Sequence, residues 1–396
     1  MGLFASAWAE RKAGAVGYPA VGWSPIFGQR AASSGMVVTD DKANTISAWW
    51  AGVRRISSDV ATLPLDVYRM SGRNRVPADD LPQAAMLKRS PNPEMTSLTL
   101  RETLMGHLLT WGNAYCEREL DGLGRTVRLW PLRPDRMKVT VNEAGQRTYE
   151  YRIGLSSAPT VLPASKVWHI PGLGFDGIIG YAPLTLARES LADIIGLREY
   201  GSRVLDNDAR PGVILSHPHT LTDTARKNIE DSWNDNHGGF TNAGRTAVLE
   251  EGISVTTLGM PRQDMLFLEA RKWQVTDVAR WLGIAPHKIG DLERATFSNI
   301  EEQNLDHAAF PIQPWCTKWE QQIDMDLLPP GAFSKHNLNA ILRGKTLERY
   351  QAWAIATQNK AMVPNEWRAF EDWNPVSWGD EPVLTPNNSA EEGATT

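Results

Sequence analysis

Two long stretches of helical patterning enclose a compact insert, and that bracket limits the fold more than any other feature of the chain. The first stretch, 182–208, puts Leu184, Ala187, Leu191 and Ile194 on one stripe, with Pro183 at a favoured first-turn position. The second, 261–284, carries Leu268, Val275, Ala279 and Leu282 on its stripe. At about 1.5 Å per residue, two dozen helical residues span roughly 35 Å. Between them the pattern predicts a strand over 211–218, a helix over 222–236 with Thr222 as N-cap, and strands over 246–251 and 254–258.

A polar loop, Gly290 to Asn299, follows the second long helix. It is rich in charge and hydroxyls and leads into another helix, with Ser298 as N-cap and Glu301 at the capping-box position. Pro311 and Pro314 should kink that helix, while Ile312, Trp315, Trp319, Ile323 and Leu327 continue its apolar face. Two shorter helices follow near 345–360 and 364–373. The tail from Glu371 holds six acids and no Lys or Arg, and its end reads as disordered.

Upstream of the bracket the pattern is α+β. A helix over 45–61 ends at Pro64, a strand covers 65–70, and a helix opening near Pro93 stops at Gly112–Asn113. Strands at 114–120, 126–132, 136–142 and 148–153 turn at Asp121–Gly124 and Glu143–Gly145, and a further strand covers 161–170. This predicts one antiparallel sheet packed on the two helices. Residues 1–36, rich in Gly, Ala and Ser, have little to pack; their first six fit an N-myristoylation pattern only formally, with no polybasic patch behind it.

Composition excludes more than it assigns. A net charge of −5 gives no global basic field for gripping nucleic acid. Cys116 and Cys316 lie far apart outside any CxxC pattern, which argues against a disulfide framework or a zinc site. No apolar run reaches the roughly 18 residues of a membrane span. Sixteen tryptophans suit either large protein contacts or buried core anchors.

Catalytic constellations are weak. Gly172, Gly174 and Gly177 have GxGxxG spacing after a strand, but Ile178 to Pro183 intervene before a helix, so a flexible glycine loop is the better reading. His217 and His219 flank a proline, Asp324 and Asp326 diverge on a helix, and Glu250 and Glu251 face opposite sides of a strand. No nucleophile elbow, phosphate loop or HExxH is present.

The order of these features resembles the portal proteins of tailed double-stranded-DNA bacteriophages over roughly 40–380. The resemblance rests on Asp176-Gly177 with Gly180 and Pro183-Leu184, on Asn242 through Gly252, and on Phe267–Glu269 followed by Ile284–Pro286. Ser298–Gln303 and Pro364-Asn365-Glu366 with Arg368, Asn374–Val376 and Gly379-Asp380 extend it. Where the family often has Gly-Gly-Asp near the end, this chain has Trp378-Gly379-Asp380.

The resemblance implies a portal fold: a flexible segment at 1–40, an antiparallel-sheet wing at 41–181 and stem helices at 182–206 and 261–284. It further implies an α/β clip at 207–260, a tunnel loop and long kinked wing helix at 285–331, a helical crown at 332–380 and an acidic tail at 381–396. Twelve copies would form a ring at one capsid vertex of the virion, assembled in the host cytoplasm, without enzymatic activity or cofactor and without a membrane. Implied partners are double-stranded DNA in transit, the terminase large subunit, a connector or adaptor protein, and the major capsid protein or scaffold. Asp291, Glu293, Arg294, Thr296, Ser298 and Asn299 would line the tunnel, and Arg226, Lys227, Glu230, Trp233 and Asn234 would face the clip's partners. A nucleotide-dependent oxidoreductase built on Gly172–Gly177 and a non-ring structural or scaffolding protein remain as alternatives.

Overall fold

The computed structural model describes residues 32–141, 147–154, 158–174, 177–206, 213–218, 220–237, 253–257, 263–291, 305–341, 346–371 and 373–382. Two packed helices form the centre of its α+β body. The Ser47–Thr62 helix turns Trp49, Gly52, Val53, Ile56 and Val60 inward, as their spacing demands. It packs on the Ser97–Trp111 helix, which buries Leu100, Leu104, Met105 and Leu108 and stops at Gly112 in the left-handed region, φ 70°. Burying each such side chain stabilises the fold by about 1.5–3 kcal/mol. Pro93 lies ahead of this second helix rather than inside it. Asn92 there folds a turn, accepting from the Glu94 amide at 3.0 Å and donating to Leu129 O at 2.8 Å, and Thr96 becomes the N-cap.

The strands are β1 (Leu65–Ser71), β2 (Asn74–Pro77), β3 (Asn113–Leu120), β4 (Thr126–Leu132), β5 (Met137–Val141), β6 (Arg147–Tyr151), β7 (Thr160–Pro163) and β8 (Val167–Pro171), then β9 (Val213–Ser216), β10 (Ser254–Thr257) and β11 (Ala332–His336). In place of one sheet they make three antiparallel three-stranded sheets, ordered β11-β1-β2, β4-β3-β8 and β5-β6-β7, with β9 and β10 as a separate pair. One reason is local. The stretch 161–170 breaks into a 3₁₀ turn at Ala164–Lys166, so its two halves, β7 and β8, join different sheets. The other is distant: β1 takes β11 as its neighbour, Leu65 opposite His336. A short helix, Pro82–Lys88, braces β1 and β4.

Pro311 sits inside a π turn over Ala308–Ile312, where the expected helix departs from regular α geometry, and Pro314 sits in the first turn of the Gln313–Asp326 helix that follows. Ile312, Trp319, Ile323 and Leu327 are buried and Trp315 half-buried along the expected face. Glu320 fastens this helix to β11. Its Oε1 accepts from the His336 amide at 2.7 Å and lies 3.1 Å from His336 Nδ1, while Oε2 accepts from Lys335 Nζ at 2.7 Å. Asp324 accepts from the Ser334 amide and hydroxyl, so its carboxylate has a structural use.

The two short helices are Thr346–Gln358 and Pro364–Phe370. Asn365 ties the second one to the chain that follows. Its side chain donates to Val376 O and Asp380 Oδ1, both at 2.9 Å, and accepts from Val376 N at 2.8 Å, while its amide donates to Gly379 O at 2.8 Å. An added Cβ on Gly379 would collide with the Asn365 side chain. The dispersed residues around 364–380 are thus one hydrogen-bonded lock. Residues 1–31 and 383–396 lie outside the described residues.

Candidate functional site: the long helix pair, its insert and the loop feet

The first long helix is launched from a backbone junction. Gly112 at the end of its helix, Gly172 just after β8, and Gly180 meet so closely that an added Cβ on any of them would fall onto main-chain atoms of the others or of Tyr181. The Gly172 amide donates to Gly112 O at 2.7 Å, and Gly174 packs against Ile179 O. Asn113 seals the junction, donating from Nδ2 to Gly180 O at 2.8 Å and accepting at Oδ1 from Gly180 N at 2.9 Å. His169 Nε2 donates to the same Oδ1 at 3.0 Å, which leaves Nδ1 to accept from the Tyr149 hydroxyl at 3.3 Å. Burial, with Arg147 adding to it, pushes the His169 pKa down to about 3, so the ring is neutral.

This geometry corrects the expectation of a flexible loop at Gly172–Gly177. Gly172 and Gly174 carry tight packing, and among the described residues the next helix opens only at Pro183, too far on to receive a pyrophosphate from these glycines.

Past Gly180 the chain forms a turn of helix at Pro183–Leu186 and then the Arg188–Asp206 helix. Leu184, Ala187 and Leu191 are buried and Ile194 half-buried, as the stripe predicts. The Gln263–Leu282 helix packs alongside, burying Val278, Ala279 and Leu282 with Val275 half-buried; the Leu268 side chain is outside the described residues. Trp281 Nε1 donates to Ser190 Oγ at 3.2 Å across the pair. Glu189 takes the Ser33 amide at 2.9 Å, which fixes the start of the described chain to the base of the first helix. The outer surface is unusual for helices of one chain: Trp273 is 58% exposed, Tyr200 49%, Trp281 40% and Leu186 53%.

The insert keeps β9 and β10 paired, Ser216 opposite Ser254, at its base. Its helix, Asp223–His237, starts where Thr222 Oγ1 accepts from the Ala225 amide at 3.3 Å, the cap expected from sequence. Arg226 and Lys227 are exposed and Trp233 half-buried. The side chains of Glu230 and Asn234, the strand expected at 246–251, Glu250, Glu251 and His219 lie outside the described residues. Among the described residues no group of His, Cys, Asp and Glu could hold a metal ion.

The second long helix ends at Gly283, and a 3₁₀ turn over Pro286–Ile289 follows, capped by Gly290 at φ 99°. Asp291, half-buried, donates its amide to Pro286 O at 3.1 Å. Glu293, Arg294, Thr296, Ser298, Asn299 and Glu301 lie outside the described residues, which resume at Leu305. Sequence reasoning missed what lies beneath these two ends. His307 Nε2 donates to Asp59 Oδ2 at 2.7 Å, across 248 positions, and Arg55 Nε donates to that oxygen at 2.8 Å. Lys288 is held below the usual lysine range by burial and by Arg55, and His287 below the usual histidine range by burial, Lys288 and His307. No local pattern announces a pair so far apart.

The profile described as phage portal protein matches residues 47–372. The portal protein of Enterobacteria phage HK97 is 30% identical over 352 residues, which cover 87% of this chain and 82% of that protein. The probable portal protein of Streptomyces phage phiC31 is 32% identical over 381 residues, covering 91% and 82%. Among solved structures, a chain of the virion of a native gene transfer agent particle superposes with a TM-score of 0.63 at 23% identity, over 94% of this chain and 99% of that one. An HK97-family phage portal protein from Corynebacterium diphtheriae gives 0.55 at 19%, over 77% and 98%.

Proposed function

The chain belongs to the phage portal protein family, and on that premise we propose that its copies close into a ring at one capsid vertex, the channel through which the genome is packaged and later leaves. The observation that carries this reading is the exposed aromatic surface of the long helix pair. Trp273 and Tyr200 leave about half or more of their surface in water, apolar area that a neighbouring copy would bury. Twelve copies is the number the reading takes, supported by the similar neck of a native gene transfer agent particle computed with C12 symmetry.

In this layout the helices at 182–206 and 261–284 are stem walls, 41–181 is the wing, which β11 joins as a strand beside β1, the rest of 332–380 is the crown and 207–260 the clip. The clip's exposed Arg226 and Lys227, with Glu230, Trp233 and Asn234 on the same helix, meet the terminase large subunit during packaging and a connector protein afterwards. The loop bearing Asp291, Glu293, Arg294, Thr296, Ser298 and Asn299 faces the DNA. Its near-neutral charge suits passage, because each cation set against a phosphate adds salt-dependent affinity and so drag. The chain's role is structural, a host for the motor, with assembly in the host cytoplasm.

Deletion of Asp291–Ser298 tests the channel assignment. Rings should still assemble, while packaged or retained DNA should fall sharply in a complementation assay. Packaging at the wild-type level would remove the loop from the channel.

A further inference from the structure

One peptide unit at the launch point of the first long helix is gripped from both sides. β8 is an edge strand of its sheet, and its last residue, Pro171, lies opposite Asn113. The next amide, Gly172 N, donates to Gly112 O at 2.7 Å, so the Pro171 carbonyl on the same peptide turns to the free edge. There Lys318 Nζ donates to it at 3.0 Å, across 147 positions. The N–H of this peptide thus belongs to the glycine junction and its C=O to the Gln313–Asp326 helix.

Lys318 makes that contact against its own hydration. Its side chain is half-buried, burial alone holds its pKa below the usual lysine range, and no carboxylate among the described residues offsets the charge. Its other neighbour is the Trp315 ring, 6.0 Å away. An apolar side chain of similar size would fill such a place with equal or better stability. The helix that carries Lys318 is also well fixed without it. Trp319 meets Trp168 of β8 edge-on at 5.8 Å, and Glu320 and Asp324 hold β11.

We propose that Lys318 is a positioning residue: it ties the Gln313–Asp326 helix to the Pro171–Gly172 peptide and so fixes where the first stem helix leaves the body. The proposal rests on the reading of Arg188–Asp206 as a stem wall. A cation on the carbonyl polarises the peptide and strengthens the Gly172 N–H as a donor, so both grips weaken when it is lost. Gly180, whose backbone lies against Gly172, passes that position on to the helical turn at Pro183–Leu186.

Hydrogen–deuterium exchange on the full-length chain tests this at 167–174 and 177–187, beside urea unfolding. Lys318→Met should raise exchange in both segments by roughly tenfold, the scale of one hydrogen bond from a charged donor, while the urea midpoint stays the same or rises. Lys318→Arg, which can still donate to the carbonyl, should stay within about threefold of wild type. Unchanged exchange in Lys318→Met, a rise spread over the whole chain with a fallen midpoint, or an arginine variant as loose as the methionine one would overturn the proposal. Packaged DNA measured on Lys318→Met separates the two readings. A loosened junction with packaging at the wild-type level upholds the link and counts against these helices as stem walls. An unchanged junction refutes the link and leaves the stem reading untouched.

Discussion

The junction around Gly112 and the outer surface of the long helix pair obey opposite packing rules. At the junction, backbones touch, an asparagine uses both ends of its amide, and a histidine is buried neutral. Every polar group there that is named above has its partner within the chain. On the helix pair a few residues away, Trp273 and Tyr200 stand largely in solvent and Gly196 has open space around it. The first region is finished by its own sequence, while the second has the composition of a surface that another copy finishes.

The same substitution should therefore give opposite results in the two regions. Gly112→Ala places a Cβ against the Tyr181 carbonyl at a residue whose φ is 70°, so both space and backbone conformation oppose it. We expect a loss of about 4 kcal/mol or more, seen as failure to fold or a collapse of the urea midpoint. A near-neutral result would mean that the junction yields easily, and the contrast would disappear.

Acid should act on the body next. His169 binds its proton near pH 3 in the folded chain and near 6.5 when unfolded, so the unfolded state holds more protons between those values and stability falls as pH drops through that window. The loss is about 2 kcal/mol between pH 6.5 and pH 5, at about 1.4 kcal/mol per unit. Burial opposes ionisation of Glu320, but its hydrogen bonds from His336 and Lys335 outweigh that and hold its pKa below the usual range. Its contribution, present above the unfolded pKa, is likewise lost as pH falls through the folded one. Urea titrations at pH 7, 6 and 5 would show the slope, and a flat profile would contradict the neutral burial of His169.

Gly196→Ala should have the smallest effect and the opposite sign. Beyond its own stretch of helix, nothing lies within 4 Å of its added Cβ, and alanine favours a helix interior by about 1 kcal/mol or less. The melting temperature of the dissociated chain should rise slightly. Impaired association of the same variant would show that a neighbour's backbone uses that gap, which sharpens the contrast between the regions.

How much of this was legible follows the distance over which each interaction acts. The Ser47–Thr62 helix, the Gly112 stop, the Thr222 cap and the two long helices come from spacing and caps within one or two turns, and the structure places them within a few residues of expectation. Elements that depend on remote partners escaped. β11 is five residues long and exists because β1 offers it an edge; the Asp59–His307 contact joins positions 248 apart. The GxGxxG spacing was visible, but its use was not, since only the approach of Gly180 and Gly112 shows that the glycines admit backbone rather than ligand. Of the residues expected to line the tunnel, Asp291 alone falls among those described.

The most direct test of the central claim is the assembly state of the purified chain, by native mass spectrometry and negative-stain imaging, beside Trp273→Ala. Closed rings are expected for the wild type. The variant should fold, with its own stability changed by less than about 1 kcal/mol, but its association should weaken by about 2–4 kcal/mol at each interface. Wild-type chain that stays monomeric across salt and protein concentration, or a variant that forms rings as readily as wild type, would contradict that claim.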